Sequence, residues 1–379
     1  MNAKPIYALT FVVALFFFSG CGRKAANPIS APTGKSVELS YARQFAIVHS
    51  DHYTTVTVFN PWKMGDVYAT YYLVRDSLTQ TPADGNRVLI PVGNLMVNSA
   101  THLGFLDLLG GLPAVTGVCS ADYIYNPTIR QAVKEERVKD LGDAFNLNIE
   151  ALLMLRPQAV MTTAYNADDA NSRKMQQSGL TLIYNIEWQE ESLLGRAEWI
   201  KFIAAFLDKE ALADSLFCAV EQRYTAIKAL AETVDDKPTI LSGQDYRGGW
   251  SMPGGQSFNA RLFEDAGGDY YYKEDATTGS ISTTIEEALL HFHRADVWVN
   301  TQASTLRELA KAESKYKLFE AYKAGRVYNT RKRANAAGGN DYWEGAVARP
   351  DLLLSDMIKV LHPDLLPNYE LTYFEKLAP

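Results

Sequence analysis

From Glu190 to Val234 the chain keeps helical periodicity almost throughout and carries no strand signal, whereas strands and helices alternate on both sides of it. Few folds accommodate that arrangement, because each βα run must close its own parallel sheet. Phe206-Leu207 closes a first helix, and Asp208, a capping residue, starts a second. The second carries Leu212, Leu216, Val220, Tyr224, Ile227 and Leu230 as one apolar face. Its span to Val234 is roughly 40 Å, longer than one domain of about 150 residues needs. It is expected to be a backbone joining two lobes, and 379 residues is the length of about two domains.

On the N-terminal side, Arg87 to Val92, Val115 to Val118, Ala159 to Thr162 and Leu180 to Tyr184 are expected strands. Helices are expected near Ser99 to Leu109, ended by Gly110-Gly111, and over Ile149 to Leu155. On the C-terminal side, strands at Thr239 to Ser242, Val297 to Asn300 and Val327 to Asn329 alternate with helices near Asn259 to Ala266, from Thr284, and from about Arg349 to Leu361. The stretch Glu150-Ala151-Leu152-Leu153 reappears as Glu287-Ala288-Leu289-Leu290, each followed by a turn into a buried strand. Correspondingly placed in the two runs, these stretches suggest lobes of similar topology. Ahead of them, Val37 to Asp76 is rich in Tyr, Val, Thr and Phe with period-two stretches, and Asn60 to Asp66 supplies a hairpin turn.

The N-terminus indicates the compartment. Lys4 precedes a largely apolar stretch of 13 residues, Ile6 to Phe18, which is too short for a permanent span of about 20. Phe18-Ser19-Gly20-Cys21 resembles the bacterial lipobox, in which the cysteine becomes an acylated N-terminus, although Phe18 stands where Leu is usual. An ordinary cleaved leader is the alternative. Acyl chains at about 0.8 kcal/mol per CH₂ would hold the protein on a membrane. Gly22 to Ser36 is a flexible tether by composition. Cys119 and Cys218 are expected to be two separate buried thiols rather than a pair.

Lipobox, tether, α/β lobe, long helix and second α/β lobe, in that order, resemble the substrate-binding lipoproteins of ABC importers for iron–siderophore, haem and cobalamin, the class III periplasmic binding proteins. Ile90-Pro91-Val92-Gly93 through Gly104 to Gly110 and Val115-Thr116-Gly117-Val118 resemble that family's first strand, helix and second strand. Arg137 to Gly142 and Asn148 to Pro157 resemble its V-x-x-L-G…E-x-L-L-x-L-x-P-D signature, with Gln158 in place of the Asp and Arg294 in place of the second Pro. The resemblance covers about Leu89 to Leu361 and leaves the preceding hairpin region without a functional account. It implies two Rossmann-like lobes with a ligand cleft between them, joined by one long helix that restricts lobe movement. The segments implied are a signal peptide 1–20, a tether 21–36, an N-terminal lobe 37–189 including the additional region 37–86, connecting helices 190–236 and a C-terminal lobe 237–379. It also implies that Glu150 and Glu287, or its neighbour Glu286, dock on permease arginines; helix-dipole complementation is the structural alternative.

In open α/β sheets ligands lie beyond the carboxyl ends of the strands. That rule selects Tyr123, Tyr125, Tyr165, Tyr246, Arg247, Trp250, Arg331, Arg333, Tyr342 and Trp343. The surplus of 21 Tyr over 16 Phe and 6 Trp fits a wet recognition surface. Arg331-Lys332-Arg333 within a chain of net charge -7 tilts the ligand towards an anionic ferric siderophore, with cobalamin or haem as alternatives. The acidic balance excludes nucleic acid, and 47% apolar residues exclude wholesale disorder. No phosphate loop, nucleophile elbow or H-E-x-x-H helix occurs, so no enzyme, resident cofactor or metal is expected, and an exported hydrolase is the alternative of another class. The implied partners are a metal chelate, an ABC permease dimer with its cytoplasmic ATPase, and a membrane reached through lipidated Cys21. Reversing the charge at Glu150 (Glu150→Arg) is expected to weaken transport and leave ligand affinity unchanged; a fall in affinity would refute docking there.

Overall fold

The computed structural model describes residues 34–379, so the leader, the lipidation expected at Cys21 and most of the tether lie outside the described residues. The chain first builds a five-stranded sheet from β1 (Lys35–Ser36), β2 (Phe45–His49), β3 (Thr54–Phe59), β4 (Val67–Val74) and β5 (Asn86–Leu89), in that spatial order. The first four pair antiparallel, and β5 joins parallel to β4. The turn expected at Asn60 to Asp66 forms and is closed by the Asn60 N–H donating to the Asp66 carbonyl. The strand expected at Arg87 to Val92 thus belongs to this sheet and not to the lobe. Backbone pairing decides its membership, and apolar periodicity does not report pairing.

After Ile90-Pro91 the chain enters a parallel sheet of β6 (Leu95–Val97), β7 (Val115–Val118), β8 (Lys139–Asp140), β9 (Ala159–Thr162) and β10 (Leu182–Tyr184), ordered β10-β9-β6-β7-β8. One continuous core, including Ile47, Val58, Tyr71, Met96, Phe105 and Ile183, is shared by these two sheets. Two helices follow, Leu193–Leu207 and Glu210–Ala231. Asp208 does not start the second helix: it closes the first in the left-handed conformation, φ 57°, which Asp tolerates, and its carboxylate pairs with Arg75. The buried stripe of the second helix is Ala213, Phe217, Val220, Tyr224 and Ala231, so Val220 and Tyr224 face inward as expected, Leu216 and Ile227 pack half-buried on the cores, and only Leu212 and Leu230 at the two ends are exposed. Leu193 and Leu194 pack in the C-terminal core while the rest of their helix packs in the N-terminal one, and in the second helix Phe217 and Tyr224 divide the same way.

The C-terminal half contains β11 (Ile240–Ser242), β12 (Asp245–Tyr246), β13 (Gly249–Pro253), β14 (Ser280–Thr283), β15 (Val297–Thr301), β16 (Val327–Asn329) and β17 (Glu375–Lys376). They form a sheet ordered β11-β15-β16-β17 and a small sheet β12-β13-β14 for which the sequence carried no clear signal. The matched helices of the internal near-repeat are Ile149–Leu155 and Ile285–Phe292, capped by Asn148 and Thr284. Cys119 is buried and Cys218 exposed, both as free thiols, so only one of the two is sequestered as expected. No helix among the described residues is long and apolar enough to cross a membrane.

The first sheet is tied to the Leu193–Leu207 helix by two buried carboxylates. Glu198 accepts the backbone N–H groups of Ser40, Tyr41 and Ala42 at 3.0, 2.8 and 2.8 Å and pairs with Lys201. Glu190 accepts those of Arg43 and Gln44 and the indole N–H of Trp199. Replacing Glu198 by Ala would leave three backbone N–H donors without their acceptor and Lys201 with Asp214 at 3.7 Å and the Glu38 carbonyl at 3.4 Å. Urea unfolding of Glu198→Ala is expected to show a loss of about 3 kcal/mol or more, and a loss below about 1 kcal/mol would contradict the clasp.

Candidate ligand cleft

A cleft of about 910 Å³ opens where the carboxyl ends of the strands of both lobes face each other. From the C-terminal lobe come Ser242 to Gln244 after β11, Asn300 and Gln302 at the end of β15, and Thr330 after β16. The N-terminal lobe supplies Trp188 to Glu191, just after β10. Gln44, ahead of β2, and Pro61, in the β3–β4 turn, complete that side from the first sheet. Tyr342 and Trp343 stand between the lobes with their rings edge to face at 4.8 Å.

The wall is rich in amides and hydroxyls, and among the described residues neither Lys nor Arg lines it. Asn300, held left-handed at φ 61°, donates its amide N–H to Ser242 Oγ at 2.9 Å, while its buried Oδ1 has no hydrogen-bond partner among the described residues. Gln244 Oε1 accepts the Gln302 backbone N–H. Glu190 faces the cleft, but its carboxylate is engaged by the clasp, and burial raises its proton affinity. Arg196, in a small adjoining hollow, is matched by buried Glu187 at 3.2 Å.

The residues selected from sequence separate into three groups. Tyr246, Tyr342 and Trp343 line the cleft. Arg247, Arg331 and Tyr165 are its neighbours: Arg247 lies over the Tyr246 ring at 5.1 Å, Arg331 Nη1 donates to the Gln302 carbonyl, and Tyr165 packs 6.1 Å from Trp188. The remaining four are elsewhere. Trp250 is 0% exposed, donates its indole N–H to the Ser242 carbonyl and stacks on Trp298, so it is core. The alternation of β13 turns it inward, between exposed Gly249 and Ser251. Tyr123 borders a separate hollow with Asp122, Asp140 and Asp143. Tyr125 and Arg333 belong to an interlobe cluster, where the Arg333 guanidinium pairs with Asp341 at 3.0 Å and lies over the Tyr125 ring.

Sequence reasoning missed Trp188, Gln44, Pro61, Asn300 and Gln302. The strand-end rule could have found Asn300 and Gln302, which end and follow β15. Nothing local marks Gln44 or Pro61. Of the two expected docking residues, Glu150 is exposed in the first turn of its helix. The Glu287 carboxylate completes a capping box with Thr284 and accepts from Thr283 Oγ1 at 2.7 Å, while Glu286 pairs with Lys315.

The interlobe cluster bolts the base of the cleft. Glu344 is buried and accepts the Tyr125 and Asn126 backbone N–H groups from the opposite lobe at 2.7 and 2.9 Å. Thr101 Oγ1 donates to the Trp343 carbonyl, and Asn335 Nδ2 donates to the Ile124 carbonyl. Gly104 lies so close to the Glu344 carbonyl that a Cβ there would overlap it, which requires glycine. Burial, with Asp341 and Asp107 nearby, pushes the Glu344 carboxyl up to about 7 against the lowering effect of the two N–H donors.

Comparison with known proteins gives a consistent result. Residues 98–334 match the family model described as periplasmic binding protein. An uncharacterized lipoprotein of Methanocaldococcus jannaschii is 25% identical over 363 residues, covering 89% of this chain and 85% of that one. A possible iron-binding (periplasmic solute-binding) protein from Staphylococcus epidermidis superposes with a TM-score of 0.55 at 18% identity, covering 71% of this chain and 98% of that one. A periplasmic heme binding protein from Pseudomonas aeruginosa gives 0.56 at 15% identity, covering 72% and 93%. At those identities the superpositions establish the fold alone.

Glu344 generates a pH prediction. Its folded value lies above the ordinary 4.5, so the folded protein retains a proton that the unfolded chain releases. The stability associated with this group is therefore fully present below about pH 4.5 and declines as pH rises to about 7. Relative to wild type, Glu344→Gln is expected to gain stability across that window, on the order of 3 kcal/mol, in urea titrations at several pH values. A difference that stays constant with pH would refute the assignment.

Proposed function

The chain belongs to the periplasmic binding protein family, and from that premise we propose that it captures an iron–siderophore or related metal chelate between its lobes and delivers it to an ABC permease. The observation that carries this reading is the cleft itself, large enough for a chelate and walled by both lobes at their strand ends. The rings of Trp188, Tyr246 and Trp343 line it and supply flat contact area. The two helices that cross both cores and the Glu344 bolt favour small lobe movements.

In this reading the protein is a carrier and not an enzyme. Residues 1–20 are a signal peptide, Cys21 carries the lipid anchor outside the cell membrane, and 21–36 form the tether; the name lipoprotein borne by a relative supports this. The N-terminal lobe is 37–189, the connecting helices 190–236 and the C-terminal lobe 237–379. Glu150 and the Glu286-Glu287 pair present acidic groups on matched helices for the permease. The arginine argument for an anionic ligand is weakened, because Arg333 is held in the interlobe cluster and Arg331 lies outside the cleft wall. A wall with no Lys or Arg among the described residues favours neutral cobalamin as the second reading.

Titration of the purified protein with ferric siderophores, cobalamin and haem, followed by the visible spectrum and by tryptophan fluorescence, tests the proposal. Saturable quenching by at least one metal chelate is expected. Failure of every chelate to bind, or turnover of an ester, glycan or phosphate substrate, would overturn it.

A further inference from the structure

The five-stranded sheet ahead of the lobes is an addition whose placement bears on the ligand. Its two loops at one end, ahead of β2 and between β3 and β4, put Gln44 and Pro61 into the cleft wall. Gln44 is held there by its backbone N–H donating to Glu190 at 2.9 Å. Beside Pro61, the Trp62 ring packs against Trp188 at 6.4 Å and against Tyr68 at 5.5 Å. Trp188 is part of the cleft, and the run continues outward through Tyr165 at 6.1 Å to Phe145 at a further 5.5 Å. Trp188, Tyr165 and Phe145 are 37, 52 and 66% exposed, and the last two steps of the run have interplanar angles of 35°. A contiguous row of exposed rings leading into a cleft, each tilted by about a third of a right angle or more from the next, supplies apolar aromatic area to a ligand face.

The wall also discriminates charge. Among the described residues its only carboxylates are Glu190, engaged by backbone N–H groups, and exposed Glu191, and no Lys or Arg lines it. An anion entering would lose hydration without finding a charged partner, which costs far more than burying a neutral group whose hydrogen bonds are replaced. The wall instead offers amides and hydroxyls, from Gln44, Gln244, Gln302 and Ser251 among others. Arg247 and Arg331 stand outside, on the Tyr246 ring and the Gln302 carbonyl.

We infer that the N-terminal sheet is a recognition element: with the Trp62–Trp188–Tyr165 row it selects a chelate that has a planar face, no net negative charge and an amide- or hydroxyl-bearing rim. This rests on the chelate reading above and adds the ligand's shape and charge to it.

The full chain is titrated with cyanocobalamin (planar, neutral, amide-rimmed), haem (planar, anionic), ferrichrome (neutral, without a planar macrocycle) and ferric enterobactin (triply anionic). Cyanocobalamin is expected to bind at least about 10-fold more tightly than haem or ferric enterobactin. Trp62→Ala is expected to raise its Kd about 3- to 10-fold, and Trp62→Phe to restore it, with the thermal midpoint unchanged. Should Trp62→Ala lower the midpoint, Tyr165→Ala on the exposed rim gives the same readout. Tighter binding of either anionic chelate, or no effect of Trp62→Ala and Tyr165→Ala, would overturn this inference and leave the chelate reading standing. Binding of none of the four overturns both.

Discussion

The buried carboxylates of Glu198 and Glu190 are the constraint on which the rest depends. Each accepts a set of backbone N–H groups from residues 40–44, a segment that has left β1 and not yet entered β2. Those donors lie in no sheet ladder, and burying them without partners would cost about 1–3 kcal/mol each. Two acidic side chains satisfy them and set the position of the five-stranded sheet against the helix that crosses both cores. Because Glu190 also borders the cleft, the clasp that secures the sheet also places Gln44 in the wall.

A second constraint acts at the opposite side of the cleft. Glu344 and the Gly104 contact join the lobes there, and the Leu193–Leu207 and Glu210–Ala231 helices run through both cores. Asp351 adds to this frame by receiving Arg223 from the second connecting helix and Arg349 at the start of the Pro350–Leu361 helix. Moving the lobes widely apart would expose these buried polar groups. The geometry suits a protein that presents a nearly formed site and changes shape little on binding.

The cleft illustrates why composition misleads about ligand charge. The basic triplet after β16 reads as an anion site, yet its three members are dispersed by local structure. Arg331 reaches the Gln302 carbonyl, Lys332 the Leu371 carbonyl and Arg333 the Asp341 carboxylate. Three adjacent residues in a turn point in different directions, and each finds its partner on a different element. The polarity of the wall comes instead from residues scattered over both lobes and the added sheet.

Local physics was legible from the sequence. Period-two and period-3.6 patterns and the matched Glu150 and Glu287 helices pointed to two α/β lobes around a helical link, and strand ends led to Tyr246, Tyr342 and Trp343. The inner face of the Glu210–Ala231 helix was legible at Val220 and Tyr224, but burial of Ala213 and Ala231 in place of Leu212 and Leu230 at its ends depended on which neighbours packed against it, as did the inward turn of Trp250 in a strand that periodicity did not reveal. The clasp joins residues 40–44 to Glu190 and Glu198 across about 150 positions, and the Glu344 bolt spans more than 200. No local pattern encodes such pairings, because a carboxylate's preference for a distant N–H exists only once folding has removed both from water. The lobes were therefore determined by the sequence alone, while the closed wall of the cleft, its charge and the role of the added sheet were decided by tertiary structure.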